Sequence, residues 1–367
     1  MVSKKFSYSK ENINVFLFKK LDNILGKRLI KFLPSVKNKN INEFRPNQIL
    51  LIRPGGIGDA VLLIPAIKFF KRKFPFCKID ILCEKRNSGV FKLLPYVNKI
   101  FFYHRLKDIL MVLLKKYDAV IDTEQYHYLS AIFCFFIRST LKIGFATNER
   151  KKIYHKDIYY SQDDYEVFSF LNLFRTFLKN ENRIDLKGFL SIENRFINLS
   201  KNISCIGIFP GATIKERKWP KENFRKIARW LDKRKFRVIV VGGKEDINVG
   251  NYIVEGTKNG INMAGNTTLK ETAEILSRCK LLLTSDSGIM HLAIAVGTPV
   301  VALFGAGIEK KWAPRDGKSI IINKHLSCSP CTQFGYTPPC PNNVRCMKEI
   351  SVIEVKEAID AILDKTV

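Results

Sequence analysis

An apolar strand that ends in a glycine-containing turn and leads into a helix recurs along this chain. Strand patterns of this kind end at turns that contain Gly55 and Gly58, Gly211, Gly242, and Ser287 with Gly288. Repeated strand–turn–helix units build a parallel sheet covered by helices, and the carboxyl ends of the strands meet at one ligand-binding edge. The sequence therefore predicts an α/β fold whose chemistry lies at the glycine turns.

The turn at Ser287 and Gly288 has the chemistry of an anion site. A helix N-terminus offers unpaired N–H groups and the positive end of the helix dipole, and glycine lets a phosphate approach the backbone. The turn of Gly211, which ends an earlier strand, is followed by Thr213 and Lys218, a hydroxyl and a positive charge that can also bind an anion. Together these residues predict a nucleotide ligand. The alternative is that Asp286 and Ser287 only cap the helix.

The length of 367 residues fits two α/β halves better than one domain. The predicted organisation is a basic amphipathic extension at residues 1–47, a first domain at 48–195, a second domain at 203–350 and a C-terminal helix at 351–367. The domain boundary is expected within residues 184–204. A ligand site is expected in the cleft between the halves.

Five motif groups occur in order: Gly-Gly-Ile-Gly-Asp-Ala at 55–60, Pro-Gly-Ala-Thr at 210–213 with Lys-Trp-Pro at 218–220, Val-Val-Gly-Gly-Lys-Glu at 240–245, Met-Ala-Gly-Asn-Thr at 263–267, and Ser-Asp-Ser-Gly-Ile-Met-His-Leu at 285–292. Through them the chain, from residue 48 to its end, resembles glycosyltransferase family 9, the ADP-heptose:lipopolysaccharide heptosyltransferases. The resemblance implies a GT-B fold, in which two Rossmann-like domains with parallel sheets face a central cleft. It also implies inverting sugar transfer from ADP-L-glycero-D-manno-heptose to an inner-core sugar of lipid A, without a metal ion.

An inverting transfer needs a base for the acceptor hydroxyl and positive groups for the leaving diphosphate. Asp59 matches the base that the family is thought to use, beside the acceptor-side turn of Gly55, Gly56 and Gly58; its alternative role is an N-cap. The leaving group would be met by Lys218, Thr213, Ser287 and Gly288. Alternatively, Lys218 is a solvated surface charge and Thr213 a turn residue.

The remaining donor-side positions also follow from the resemblance. Glu245 matches a position expected near the ribose, Asp286 would orient sugar or phosphate groups, and Met263 belongs to a matched motif. His291 is either a ligand contact or a structural histidine.

Two other functions fit parts of the sequence. Gly56 and Gly58 resemble the dinucleotide fingerprint of an NAD-dependent dehydrogenase, with Glu84 at the ribose position, but Val61 stands where the third glycine belongs. The other alternative is a non-catalytic protein that binds a nucleotide sugar or lipid. The co-occurrence of Asp59, Lys218 and the Ser287-Gly288 turn argues for an enzyme.

The formal net charge of +28 favours anionic partners. No nucleic-acid module is recognisable, so a phosphorylated lipid acceptor at an anionic membrane is the expected partner; a biased overall composition is the alternative. Residues 1–47 hold eleven Lys/Arg and three Asp/Glu, net +8. They carry apolar residues at helical spacing, namely Phe18, Leu21, Leu25, Leu29 and Phe32. This stripe predicts either a helix on the membrane surface or one packed on the first domain.

No secretory signal is evident, because the apolar stretch at residues 15–18 is too short. Residues 129–137 are too few to span a bilayer. We therefore expect a cytoplasmic enzyme at the inner face of the cytoplasmic membrane.

The nine cysteines fall into two groups. Five lie in or beside apolar segments and are predicted core residues: Cys77, Cys83, Cys134, Cys205 and Cys279. Four form a Pro-rich loop with C-x2-C-x8-C-x5-C spacing: Cys328, Cys331, Cys340 and Cys346. This loop is interpreted either as a structural zinc or iron site or as reduced thiols. Some related bacterial heptosyltransferases are thought to hold iron in such a cluster.

Overall fold

The computed structural model describes residues 22–39, 44–177, 186, 188–192 and 203–365. Within these residues the chain forms two parallel six-stranded sheets. The first has the order β3-β2-β1-β4-β5-β6. Its strands are β1 Gln48–Arg53, β2 Lys78–Cys83, β3 Val97–Phe102, β4 Tyr117–Asp122, β5 Ser139–Phe145 and β6 Lys156–Ile158.

The second sheet has the order β12-β11-β10-β7-β8-β9. Its strands are β7 Cys205–Phe209, β8 Arg237–Val240, β9 Ile261–Asn262, β10 Cys279–Ser285, β11 Val300–Phe304 and β12 Ile320–Asn323. The central strands are apolar runs because helices cover both faces of a parallel sheet.

Helices connect the successive parallel strands. They are α1 Lys27–Phe32, α2 Ile57–Leu62, α3 Ile64–Lys73, α4 Ser88–Phe91, α5 Leu106–Leu114, α6 Tyr128–Phe136, α7 Glu166–Phe174, α8 Lys221–Lys233, α9 Ile247–Val254, α10 Leu269–Arg278, α11 Gly288–Ala295, α12 Glu309–Trp312, α13 Arg345–Lys348 and α14 Val352–Asp364. A π-helical turn, Asp22–Gly26, precedes α1. Short 3₁₀ segments are Glu149–Ile153, Lys215–Arg217 and Lys244–Asp246.

Three apolar clusters hold the layers together. One covers the outer face of the first sheet, with Ile30, Val112 and Ala131. Another covers the outer face of the second sheet. The largest is shared by the two halves, since it contains both Ile49 of β1 and Leu292 of α11. The halves therefore pack against each other along the edge that carries the glycine turns.

These sheets confirm the predicted α/β GT-B architecture. Strand β7 is the apolar strand that the sequence predicts before the turn of Gly211. Of the expected boundary at 184–204, only residues 186, 188–192, 203 and 204 lie in the described part. The domain limits therefore stay a prediction.

The N-terminal stripe points away from the first sheet. Leu25, Leu29 and Phe32 are 48%, 51% and 86% exposed, whereas Ile30 is buried. Because these three residues are exposed, the alternative that the stripe packs on the first domain is wrong for them. The contact of this helix with the core is made by Ile30 instead. Phe18 and Leu21 lie outside the described residues. None of the described helices is long and apolar enough to cross a membrane.

Candidate active site

The first glycine turn follows β1 and is held by side chains of the same half. Gly55 has φ +102°, a conformation that favours glycine. Its N–H donates to Glu84 at 2.9 Å, and Glu84 also pairs with Arg86 at 2.7 Å. Glu84 therefore braces the turn, which is not the ribose-binding role of the dehydrogenase alternative.

Helices α2 and α11 bring the two glycine turns into contact. A Cβ atom on Gly288 would lie 2.9 Å from Ile57 Cβ and 3.0 Å from the backbone N of Gly58. A Cβ atom on Gly58 would lie 3.0 Å from Cδ2 of His291. The close approach thus requires glycine at position 288 and leaves little space for a side chain at position 58, and the first turns of the two helices touch where the halves meet.

Asp59 lies in the first turn of α2. The cap position is held by Gly56, so the alternative of Asp59 as an N-cap is wrong. Its side chain is 28% exposed, and Oδ2 lies 3.6 Å from a guanidinium nitrogen of Arg53. Asp59 is therefore an accessible carboxylate at the contact between the halves.

Arg53 is the last residue of β1 and is almost fully buried. It donates to the carbonyl oxygen of Thr123 at 2.7 Å and to Oε2 of Glu124 at 3.3 Å. Burial would lower the pKa of Arg53, but the charges of Asp59 and Glu124 leave it raised. Arg53 thus stays charged and fixes the position of two carboxylates.

Glu124 follows β4 at the same edge. Burial raises its pKa, but the charges of His127, Arg53 and Arg150, together with the N–H of Tyr126, lower it to about 2. Glu124 is therefore ionised at neutral pH and held in a buried network.

A buried ion pair joins the halves beside Asp59. Nζ of Lys311, on α12, lies 2.8 Å from Oε2 of Glu166, on α7, and both side chains are at most 1% exposed. Lys311 also donates to Ser169 Oγ at 3.0 Å. Burial raises the pKa of Glu166, Lys311 opposes that shift, and the charge of Asp59 adds to it. Because the charge of Asp59 affects the pKa of Glu166, the Lys311–Glu166 pair lies near Asp59.

The second half contributes an exposed group of predicted residues beyond β7 and β8. Thr213, Lys218 and Glu245 are exposed. The charge of Lys218 acts on Asp246, whose pKa is nevertheless raised by burial. Met263 is half-buried, and its N–H donates to Val240 at 2.8 Å. These positions follow the carboxyl ends of β7, β8 and β9, the edge at which the sequence predicts a nucleotide site.

Asp286 and Ser287 have different structural roles. Ser287 is the N-cap of α11, since its hydroxyl accepts from the N–H of Met290 at 3.2 Å. Asp286 does not cap the helix; it is buried, with Oδ2 3.0 Å from Arg217. Burial raises the pKa of Asp286, and Arg217 opposes that shift.

His291 is buried on α11, below the contact of the two turns. Burial and the charge of Arg217 lower its pKa to about 3. The imidazole is thus neutral at physiological pH and serves as a hydrogen-bonding or packing group rather than an acid.

The two cysteine groups have different environments. The five predicted core cysteines are all buried, which confirms that prediction. In the loop, Cys328 is exposed, Cys331 and Cys340 are intermediate and Cys346 is buried. Burial and the charges of the other three raise the pKa of Cys346, so the four thiols share a neighbourhood. Among the described residues, however, no three His, Cys, Asp or Glu side chains come close enough together to hold a metal ion.

Sequence reasoning missed the residues that pair with the predicted ones. Arg53 and Arg217 could have been found from the sequence, because each adjoins a motif that carries the resemblance. Glu166 and Lys311 could not have been found in this way, since their segments contain no glycine turn and their pairing depends on how the halves dock.

Comparison with known proteins places the fold and site in a family. Residues 108–338 match the model of glycosyltransferase family 9 (heptosyltransferase). The chain is similar to lipooligosaccharide heptosyltransferase 2 of Haemophilus influenzae, at 25% identity over 75% of this chain and 88% of that protein. Its fold resembles the ADP-heptose lps heptosyltransferase II of E. coli, with TM-score 0.72 and 22% identity over 87% of this chain and all of that one.

A third similar structure is the dodecameric iron-containing heptosyltransferase TibC of E. coli. Its TM-score is 0.55 and its identity 12%, over 90% of this chain and 78% of that one. At this identity the likeness concerns the fold alone. The family match spans more than half of the chain and agrees with the paired parallel sheets, and this chain therefore belongs to glycosyltransferase family 9.

Proposed function

We propose that this glycosyltransferase transfers a heptose, with inversion, from ADP-heptose to the inner core of lipopolysaccharide or to a related glycan. The observation that carries the proposal is the contact of α2 with α11. It brings the accessible carboxylate of Asp59 to the turn of Ser287 and Gly288. A base on one wall and a helix N-terminus on the other suit attack on a sugar diphosphate.

In this proposal Asp59 takes the proton of the acceptor hydroxyl. Of the acidic residues around it, Glu124 and Glu166 are buried in ion pairs with Arg53 and Lys311. Asp59 is 28% exposed and so is free to meet an acceptor. The turn of Gly55, Gly56 and Gly58 forms the acceptor side, where Gly56 leaves room because an added Cβ would be 4.0 Å from its nearest neighbour.

The departing ADP is stabilised by positive groups of the second half. Lys218 and Thr213 are exposed at the sheet edge, where a diphosphate can reach them. Ser287 and Gly288 supply the first N–H groups of α11. These groups act on charge that grows during bond breaking, so they favour the transition state over the bound donor.

The donor nucleoside and sugar occupy the rest of the same edge. Glu245 contacts the ribose and Met263 lies against the nucleoside. Asp286, which is buried, orients the sugar or phosphate through its ion-pair partner Arg217. His291, being neutral, fixes the turn from below. The similar E. coli protein whose name includes ADP-heptose supports this choice of donor.

No metal ion takes part in the transfer that we propose. A structural zinc or iron ion at Cys328, Cys331, Cys340 and Cys346 remains a separate prediction. Four thiols suit such an ion chemically, and the similar protein TibC is described as iron-containing. The described arrangement does not bring three ligands together, so binding would require the exposed part of the loop to close.

The acceptor is anchored in a membrane by its lipid part, and we propose that the enzyme works as a peripheral protein at the cytoplasmic face. The net charge of +28 and the exposed apolar residues of α1 support attraction to anionic lipid. Nucleic acid is not a proposed partner.

The test is incubation of the purified protein with a panel of nucleotide sugars and lipid A core acceptors. Mass spectrometry should find an acceptor heavier by one heptose only when ADP-heptose is present. Donor binding without a product, for every acceptor, would instead support the non-catalytic binding protein.

A further inference from the structure

Three helical segments on the outer side of the first sheet expose large apolar side chains. On α5, Leu106 and Leu114 are 74% and 75% exposed. The other members of this set are about half exposed or more, apart from Met111 at 40%: Ile24, Leu25, Leu29, Phe32, Leu110, Met111 and Phe136. We call this set, with the basic residues between its members, the basic apolar face.

The exposed side chains are additional to those that hold the helices in place. The same helices bury Ile30, Val112, Ala131 and Cys134 in the cluster over the first sheet. A surface helix normally turns polar residues outward, and a grouped apolar surface marks an interaction site. The basic apolar face therefore has a function other than packing within this chain.

The segments lie in one layer. Helix α5 connects β3 to β4 and α6 connects β4 to β5, and both pack on the same cluster. The turn before α1 is bonded to α6, because Asp22 accepts from the N–H groups of Tyr128 and Leu129 at 2.9 and 2.6 Å. The ring of Phe133 on α6 contacts Tyr103, just before α5, at 5.7 Å.

The charge of the face is mainly positive, and one exposed acidic residue adjoins it, Glu149, which accepts from the hydroxyl of Tyr128 on α6 at 3.0 Å. Exposed Lys27, Arg28, Lys31 and Lys107 lie between the apolar residues. Within the described parts of these segments the acidic residues are Asp22 and Asp108, and both are buried and accept hydrogen bonds from backbone N–H groups. A second copy of the chain would bring lysines against lysines, whereas an anionic surface would neutralise them.

We propose that the basic apolar face lies on an anionic phospholipid bilayer, with its apolar side chains in the headgroup region and its lysines at the lipid phosphates. This inference rests on the proposed function, which requires a lipid-anchored acceptor. Helices α5 and α6 both begin just after the carboxyl ends of β3 and β4. The starts of these helices, with Leu106 on α5, therefore lie at the edge that carries Glu124 and Asp59, and Leu114 and Phe136 lie at the far ends of the same helices. A face that begins at this edge lets an acceptor sugar enter the cleft from the membrane.

The test compares full-length variants in sedimentation with vesicles of phosphatidylcholine, with and without phosphatidylglycerol. Leu110→Glu/Leu114→Glu changes two exposed residues of the face and leaves residues 1–47 intact. Ile353→Glu is the matched control, since Ile353 is 67% exposed on α14, in the other half. Wild type and control should bind the anionic vesicles, and the double variant should bind them roughly tenfold or more weakly. Circular dichroism checks that all three are folded.

Two results would overturn the inference. One is a double variant that binds anionic vesicles as tightly as wild type, which would show that α5 does not lie on the bilayer and that the face as defined here is not the docking surface. The other is loss of self-association in sedimentation velocity without a change in vesicle binding, which would assign the face to a second copy. Transfer to a water-soluble, deacylated acceptor should be the same in wild type and double variant. That readout separates failure of the membrane inference from failure of the proposed activity.

Discussion

Asp59 differs from the other acidic residues near it by its accessibility. Glu124, Glu166 and Asp286 are buried and each is paired with a basic side chain. Asp59 keeps more than a quarter of its side chain exposed, and its basic neighbour is 3.6 Å away. At the scale of single residues, these three carboxylates are thus held in fixed positions beside Asp59, whose own carboxylate stays accessible to solvent.

The variant Asp59→Asn tests whether the accessible carboxylate of Asp59 is the base. It keeps the size of the side chain and removes the basic oxygen, so transfer should fall by roughly two to four orders of magnitude. ADP affinity, measured by calorimetry, should change little because the proposed nucleotide site lies on the other wall. Near-normal turnover in the variant would show that another group takes the proton.

Glu124 gives a prediction about pH. Its pKa in the folded protein is lowered from 4.5 to about 2, so its ionised form contributes stability above pH 4.5 that is lost as the pH falls towards 2. Glu124→Gln should lower the free energy of unfolding by roughly 2 to 3 kcal/mol at pH 7. The difference from wild type should shrink between pH 5 and pH 3 in denaturant titrations. The exposed Glu357→Gln is the control, and a difference that is constant with pH would contradict the assignment.

At the scale of elements, the close contact of α2 and α11 explains why glycine stands at position 288. The nearest atoms to an added Cβ are a side-chain branch point and a backbone nitrogen. Neither can move without moving its helix, so the contact depends on the absence of a side chain.

Gly288→Ala should therefore separate the two helices. A displacement of about 1 Å between reacting groups can cost on the order of 10²-fold in rate, and we expect kcat to fall by roughly that amount while the fold remains. The control is Glu357→Ala, at an exposed position of α14 away from the cleft. Equal kcat values for the two variants would show that the contact does not position the chemistry.

The cysteine loop is the second element with a prediction of its own. If it binds zinc or iron, elemental analysis of tag-free protein should find close to one metal per chain, and Cys328→Ser/Cys331→Ser should abolish it. The double change should lower the melting temperature more than the rate of transfer, because the loop lies outside the matched catalytic motifs. A wild type that is free of metal and fully active would leave the four residues as reduced thiols.

The helices and strands could be predicted from the sequence, but the residues that pair with each other between the halves could not. Strands β2 and β7 could be predicted from the sequence because buried parallel strands are continuous apolar runs. The break at Leu63 between α2 and α3, and the 3₁₀ start of the segment before α9, carry no comparable pattern. Motif residues such as Asp59 and Ser287 could be named because local turn chemistry marks them. The pairing of Lys311 with Glu166 depends on docking of the halves and has no local signal.

At the scale of the whole molecule, a shared apolar cluster and the Lys311–Glu166 pair join the halves. The pair is buried and receives further bonds from Gln125 and Tyr160 at 2.7 and 3.0 Å. The docking of the two sheets and the arrangement around Asp59 are thus connected by one polar network.

Lys311→Met should destabilise the protein by about 3 to 5 kcal/mol, because it leaves the Glu166 carboxylate buried without its cation. Lys310→Met is the control, since Lys310 is the exposed neighbour on the same helix. The double variant Lys311→Met/Glu166→Gln should recover part of the loss in denaturant titrations. A Lys311→Met protein as stable as the Lys310→Met control would mean that the pair does not hold the halves together.

The central claim is inverting heptosyl transfer in the cleft between the two glycine turns. The most direct measurement is nuclear magnetic resonance of the product formed from ADP-L-glycero-D-manno-heptose of defined anomeric configuration and a water-soluble core acceptor. We predict one new glycosidic bond with the anomeric configuration opposite to that of the donor. Retention of the donor configuration, or the absence of a heptosylated product, would contradict the account.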